Sequence, residues 1–237
     1  MPLRMKNKYL WISATVFVAI ELAFYYCILF IGGETGRICS FASIVTAFLF
    51  GILHLRPTRK TVFLNCGLLF TVCADFFLVL YRPQNQIAGM VFFSFAQLSY
   101  FLFLFLSSND EKQKRLHVTL RLALIALIEI VTLIVLKEKT DFLSVISVFY
   151  FANLAINIVF AFVQKQKFLL FAIGLTLFIL CDICVGLSVA DGVYFTVPTF
   201  LHFLVYPPFD LIWFFYLPSQ TLIGLFLAIQ NQKGVSS

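Results

Sequence analysis

Long apolar runs separated by short polar segments dominate the hydrophobic pattern of this chain. Eight runs are long enough for a helix to cross a bilayer, which takes about 20 apolar residues. They cover residues 9–31, 38–55, 61–80, 86–106, 116–136, 141–163, 168–190 and 209–230. No connection between the runs is long enough to form a soluble domain. The pattern predicts an all-α polytopic membrane protein with eight transmembrane helices, organised as a single integral membrane domain over residues 1–237.

The longest connection, residues 191–208, is apolar and aromatic and contains Pro198, Pro207 and Pro208. Its aromatic residues are Tyr194, Phe195, Phe200, Phe203 and Tyr206. Two placements fit this composition, because aromatic side chains favour the membrane–water interface. The segment lies on the membrane surface, or it folds partly back into the membrane.

Cationic residues are distributed unequally between the two ends of the predicted helices. Only 12% of the residues are charged, and the net charge is +6. Twelve lysines and arginines lie at the ends that include both termini, whereas the opposite ends hold Arg37, Arg82, Lys137 and Lys139. Arg121 lies within the fifth span. The positive-inside rule therefore predicts that both termini are cytoplasmic, in a bacterial inner membrane or a eukaryotic endomembrane. No basic domain is present that would bind nucleic acid.

Polar residues recur at corresponding places in the two halves of the chain. Three pairs match, with offsets of 107, 108 and 123 residues: Asp75 with Asp182, Glu21 with Glu129, and Gln97 with Gln220. The long 191–208 connection accounts for the larger offset. The pattern predicts two parallel four-helix repeats, approximately 9–106 and 116–230, an arrangement known in membrane proteins. The alternative is that each polar residue makes an independent helix–helix contact.

Two aspartates inside apolar spans are the strongest candidates for chemistry. A carboxylate at the bilayer centre costs several kcal/mol, yet Asp75 and Asp182 each follow a glycine, Gly67 and Gly174, by eight residues. Each aspartate comes 14 residues after the predicted start of its span. At 1.5 Å per residue, both lie roughly 21 Å into a core about 30 Å thick. The matched placement predicts that the two carboxyl groups act together. Equal depth is a necessary condition for a shared site, and the two helices must also face each other.

Two carboxyl groups in a medium of low dielectric constant do not both ionise readily, which leaves one protonated and one ionised. Such a pair is a general acid beside a general base. It suits hydrolysis through an oxocarbenium-like cation, as in glycosidases, and it also suits peptide hydrolysis or proton-coupled transport. Peptide hydrolysis is disfavoured, because the chain lacks the YD, GxGD and PAL motifs of intramembrane aspartyl proteases.

Other reactive residues have simpler interpretations. His54 and His117 are expected at the membrane interface and His202 in a loop, so the histidines do not predict a metal site. The Cys181-x-x-Cys184 pair has no second pair or histidine beside it, and we interpret these cysteines as packing residues. No GxSxG, HExxH or phosphate-binding glycine loop is present.

Motifs on five spans occur in a consistent order. They are Gly67 to Asp75, Gly89 with Gln97-Leu-Ser-Tyr100, Tyr150, Gly174 to Asp182, and Tyr216 with Gln220. In this order, from about residue 37 onward, the chain resembles the YhhN-like membrane family, which includes lysoplasmalogenases. The resemblance implies hydrolysis of the vinyl ether bond of a lysoplasmalogen, without a metal or other cofactor. The products would be a fatty aldehyde and glycerophosphoethanolamine or glycerophosphocholine.

In this interpretation Asp75 and Asp182 are the catalytic acid and base, in an order that the sequence does not assign. Polar side chains on other spans are candidate substrate contacts: Gln97, Tyr100, Tyr150, Asn153, Tyr216, Gln220, Glu21 and Glu129, with Asn157 on the same helix face as Asn153. Interhelical hydrogen bonds are the alternative role for these residues. The expected partners are the lysophospholipid and membrane lipids. A proton-coupled transporter or lipid-handling protein without hydrolytic activity is the alternative function, and a structural membrane protein is a third.

Overall fold

The computed structural model describes residues 3–194 and 196–233, and most of these residues are helical. The helices are α1 (Leu3–Tyr26), α2 (Gly33–Leu53), α3 (Arg59–Asp75), α4 (Gln86–Ser107), α5 (Glu111–Leu136), α6 (Phe142–Val163), α7 (Leu169–Ala190), the short α8 (His202–Val205) and α9 (Leu211–Lys233). One wide π-helical turn extends α1 over Cys27–Ile31, and another extends α3 over Phe76–Leu80.

Eight helices in the described part of the chain are long and apolar enough to cross a membrane. The predicted all-α polytopic architecture is therefore confirmed. Three helices, α1, α2 and α5, begin five or six residues before the apolar runs that predict them. Helix α2 begins at Gly33, because Gly32 and Gly33 make the turn with φ of 63° and 59°, a region that glycine adopts without strain. Helix α5 begins at Glu111, because the Asp110 carboxylate accepts a hydrogen bond of 2.9 Å from the Lys112 amide and caps the helix.

The core of the bundle is formed mainly by α3, α4, α6, α7 and α9, which contribute most of its fully buried apolar side chains. Helix α5 packs chiefly against α6, and α1 packs against α2 and α9. The remaining faces of α1 and α5 expose large apolar side chains, as expected for helices that face lipid. All six cysteines are free.

Equivalent helix contacts occur in the two halves of the chain. Helix α3 meets α4 where Gly67 lies against the ring of Tyr100, three residues after Gln97. Helix α7 meets α9 where Gly174 lies against Ile223, three residues after Gln220. A glycine eight residues before each aspartate thus allows the same close approach in both halves. The packing agrees with the predicted repeats, although duplication of a four-helix unit stays a prediction.

The 191–208 connection crosses the distal end of the bundle, which we define as the end away from the two termini. Asp191 stabilises the conformation of this segment, because its carboxylate accepts hydrogen bonds of 2.9 Å from the Val197 amide and the Tyr206 hydroxyl. These bonds hold the pKa of Asp191 below its ordinary value. The side chains of Phe200, Phe203 and Tyr206 are exposed, whereas Phe195 lies outside the described residues. Placement of the segment on or within the membrane stays a prediction.

Candidate active site

Asp75 is buried at the last α-helical residue of α3, and its side chain is 3% exposed. Its Oδ2 atom accepts a hydrogen bond of 2.6 Å from the hydroxyl group of Tyr216 on α9. The π-helical turn of α3 begins at the next residue, Phe76. Such turns are frequent at functional sites. The contact joins a carboxyl group of the first half of the chain to a tyrosine of the second half.

Asp182 lies on α7 and is partly buried. Its Oδ2 atom accepts a hydrogen bond of 2.5 Å from the hydroxyl group of Tyr150 on α6. Each aspartate therefore has one oxygen bonded to a tyrosine, whereas its Oδ1 atom accepts no bond from the described residues. Hydrogen bonds to a charged group are the stronger ones in proteins, so each tyrosine fixes the orientation of its carboxyl group.

Aromatic rings connect the two aspartate–tyrosine pairs. The ring of Phe178 lies 5.1 Å from that of Tyr216 and 6.2 Å from that of Tyr150, measured between centroids. The ring of Phe93 lies 5.5 Å from Tyr150 and 6.4 Å from Tyr216. These separations are typical of packed aromatic pairs. The structure thus brings four residues identified from the sequence, Asp75, Asp182, Tyr150 and Tyr216, to one aromatic cluster.

A proline two residues after Tyr216 leaves a backbone carbonyl group of α9 without its usual helical partner. Pro218 lies inside α9 and has no amide hydrogen to donate to the carbonyl group four residues earlier. That carbonyl belongs to Phe214, and it accepts a hydrogen bond of 3.3 Å from the hydroxyl group of Tyr25 on α1. Within a membrane, backbone groups freed by proline need such a replacement partner.

A second polar cluster surrounds Arg121 of α5, whose side chain is 5% exposed. Its guanidinium group donates to the side-chain oxygens of Asn153 and Asn157 on α6, the latter at 2.5 Å, and it contacts His117 at 3.3 Å. The Asn157 amide donates at 3.0 Å to the Gln97 side chain on α4. Neither of the two ion pairs in the described part of the chain includes Arg121, so amide oxygens bind its charge.

Several sequence predictions meet in this cluster. Two candidate substrate contacts, Gln97 and Asn153, make interhelical hydrogen bonds with Asn157 and Arg121, respectively. A contact with substrate stays a prediction for both residues. His117 does not extend toward the surface as a snorkelling side chain would, because it is 3% exposed and its ring stacks on Phe160 at 3.7 Å. Its depth relative to the membrane interface stays a prediction. Sequence reasoning missed Arg121 as the organising residue. The available signal was its spacing of four from His117, which places both on one helix face.

The other four candidate residues lie on α1, α4, α5 and α9. Glu21 is buried, and its carboxylate accepts a bond of 2.5 Å from Ser43 on α2. Tyr100 and Gln220 are fully buried, and among the described residues the Tyr100 hydroxyl and the Gln220 Oε1 atom have no hydrogen-bond partner. Glu129 is half-buried on α5. No recorded hydrogen bond connects these four residues to Asp75 or Asp182.

The fold and site define a polytopic helical membrane protein with a pair of tyrosine-bonded carboxyl groups inside the bundle. The chain belongs to the YhhN family, whose model matches residues 36–226. The matched range contains both aspartates and both tyrosines. No curated protein and no solved structure gives a match.

Proposed function

We propose that this protein is a lysoplasmalogenase-type hydrolase, which cleaves the vinyl ether bond of a lysoplasmalogen. The observation that carries the proposal is the pair of aspartates, Asp75 and Asp182, each oriented by a tyrosine hydroxyl and joined through one aromatic cluster. Membership of the YhhN family is consistent with this activity. The substrate is a membrane lipid, which agrees with a site between membrane-spanning helices.

The reaction begins with transfer of a proton from a neutral carboxylic acid to the β-carbon of the vinyl ether. The resulting oxocarbenium ion is stabilised by the other, ionised carboxylate, which then accepts a proton from an attacking water. The hemiacetal hydroxyl then gives its proton to the first, now ionised, aspartate, the bond between the hemiacetal carbon and the glycerol oxygen breaks, and that oxygen takes a proton from the second, now neutral, aspartate. The products are a fatty aldehyde and glycerophosphoethanolamine or glycerophosphocholine, one water is consumed, and both carboxyl groups return to their starting states. Because each tyrosine occupies Oδ2, the Oδ1 atom of each aspartate is left for these proton transfers.

Product analysis tests this function directly. We expect the purified protein, in detergent, to release fatty aldehyde from lysoplasmenylethanolamine. The matched control is the saturated 1-alkyl lipid with the same headgroup, which has no double bond to protonate and should stay intact. Absence of aldehyde would contradict the proposal. Uptake of lipid into vesicles driven by a pH gradient, with no product formed, would instead support the proton-coupled transporter.

Removing either tyrosine hydroxyl should weaken catalysis without unfolding the protein. We expect the variant that removes the hydroxyl bonded to the ionised aspartate, Tyr216→Phe or Tyr150→Phe, to lower the rate of aldehyde release about 10- to 100-fold, because a hydrogen bond to a charged group contributes roughly 1.5–3 kcal/mol. The other variant should lower the rate about 2- to 10-fold, because a bond between neutral groups contributes about 0.5–1.5 kcal/mol. The control is Tyr25→Phe, which removes a tyrosine hydroxyl that bonds to α9 but contacts no carboxylate. Equal rates in the three variants would exclude a special role for Tyr150 and Tyr216.

A further inference from the structure

A cavity of about 330 Å³ lies at the distal end of the bundle, between α7, the 191–208 connection and the start of α9. Its lining includes Ser188 of α7, Pro207 of the connection, and Phe209 and Asp210 just before α9. Asp210 is the one aspartate or glutamate among the lining residues of the described chain. The cavity thus combines a carboxylate with aromatic and apolar walls.

The Asp210 side chain is exposed, so the acceptor positions of its carboxylate that lack a protein partner are open to water or to a ligand. Its Oδ1 atom accepts one hydrogen bond, of 3.1 Å, from the Trp213 amide at the start of α9. An ionised carboxylate offers about four lone-pair positions. The ion pairs in the described part of the chain, Arg37–Glu34 and Lys114–Glu111, do not include it. The side chain is therefore able to accept hydrogen bonds from a cation that enters the cavity.

The cavity lies less than two helical turns from Asp182 along α7 and from Tyr216 along α9. Asp210 precedes Tyr216, the partner of Asp75, by six residues, and Ser188 follows Asp182 by six residues. At 1.5 Å per residue, both separations are about 9 Å along the helix axes. In a lysoplasmalogen, a glycerol, a phosphate and a two-carbon linker separate the vinyl ether oxygen from the ammonium nitrogen. This part of the lipid spans roughly 10 Å when it is extended with ordinary bond lengths.

We propose that the distal cavity binds the cationic headgroup of the substrate, with Asp210 accepting hydrogen bonds from its ammonium group. The assignment rests on the proposed function, because it places the vinyl ether at the aspartates and the headgroup about 9 Å away. Phe209 lines the same cavity, and an aromatic ring attracts a cation to its face. A primary ammonium has N–H donors for the carboxylate, whereas a trimethylammonium has none, so ethanolamine lipids gain more from Asp210 than choline lipids.

The test compares two vinyl ether lipids, lysoplasmenylethanolamine and 1-alkenylglycerol, which lacks the phosphate and the amine. Asp210→Asn removes the charge but keeps a side-chain oxygen to cap α9, a role that asparagine fills as well as aspartate. We expect KM for the ethanolamine lipid to rise three- to tenfold with kcat unchanged, and both constants for 1-alkenylglycerol to stay the same. The control is Glu138→Gln, an exposed carboxylate in the α5–α6 connection at the same end of the bundle.

Two failures are distinguishable in this experiment. If the native protein cleaves both lipids and Asp210→Asn affects them equally, or affects neither, the headgroup assignment is overturned while the hydrolase proposal stands. If the native protein releases no aldehyde from either lipid, the hydrolase proposal is overturned and the headgroup assignment with it. A rise in KM for Glu138→Gln equal to that for Asp210→Asn would also overturn the assignment, because it would reflect surface charge alone.

Discussion

Asp75→Asn and Asp182→Asn should each lower the rate of aldehyde release about 10²- to 10⁴-fold, the range that general acid–base catalysis contributes. An amide neither donates a proton to the vinyl ether carbon nor accepts one from water. Each asparagine nevertheless keeps a side-chain oxygen to accept the bond from Tyr216 or Tyr150. The loss should therefore appear in kcat, with little change in the thermal unfolding of the detergent-solubilised protein.

Asp110→Asn is the matched control for these two variants. It makes the same chemical change at the start of α5, where the carboxylate caps a helix and asparagine is an equally good cap. Its activity should equal that of the native protein. Full activity in either Asp75→Asn or Asp182→Asn would contradict the proposed mechanism, whatever the result for the control.

Gly67→Ala should produce the largest loss of stability among small substitutions in the bundle. A Cβ atom at this position would lie 2.1 Å from Cε1 and 2.6 Å from Cδ1 of Tyr100, which is fully buried and has no room to withdraw. Overpacking of a core typically costs 1–3 kcal/mol. We therefore expect the free energy of unfolding to fall by at least about 1–3 kcal/mol, which should appear as a lower Tm in detergent.

Two other helical glycines make this a graded test. At Gly174 the nearest atom to an added Cβ is Ile223 Cγ1 at 3.0 Å, and at Gly186 nothing lies within 4 Å. Gly174→Ala should be less damaging than Gly67→Ala. Gly186→Ala should stabilise the protein by roughly 0.5–1 kcal/mol, because alanine restricts the unfolded chain more than glycine does. The same Tm shift at all three positions would disprove the importance of the Gly67–Tyr100 contact.

The spans were predictable because the hydrophobic pattern directly reports which segments can enter a bilayer. The errors concern helix starts, where the Gly32–Gly33 turn and the Asp110 cap extend α2 and α5 beyond their apolar runs. Those extensions depend on backbone conformation and capping, which hydropathy does not measure.

Asp75 and Asp182 could be selected from the sequence as candidate catalytic residues, because a carboxylic acid in an apolar span is energetically costly. Tyr150 and Tyr216 belonged to a larger set of polar candidates. Only the packing of the helices shows that these two tyrosines, and not Gln97 or Asn153, bond to the aspartates. In the sequence, an amide side chain that bonds to another helix looks the same as one that contacts the substrate. Asn153 accepts a hydrogen bond from Arg121 on α5, and Gln97 on α4 accepts one from Asn157. The sequence alone does not show which helix faces meet.

The two halves of the chain differ at one position of the aromatic cluster. Tyr216 stands four residues before Gln220, and the equivalent position four residues before Gln97 is Phe93, a ring without a hydroxyl. Asp182 takes its hydroxyl from Tyr150 instead, within its own half of the chain, whereas Asp75 is bonded across the two halves. A dimer of identical subunits gives both copies of a residue the same surroundings. A single chain is free of that constraint. The different surroundings of Asp75 and Asp182 therefore fit the proposed mechanism, in which one aspartate is the acid and the other is the base.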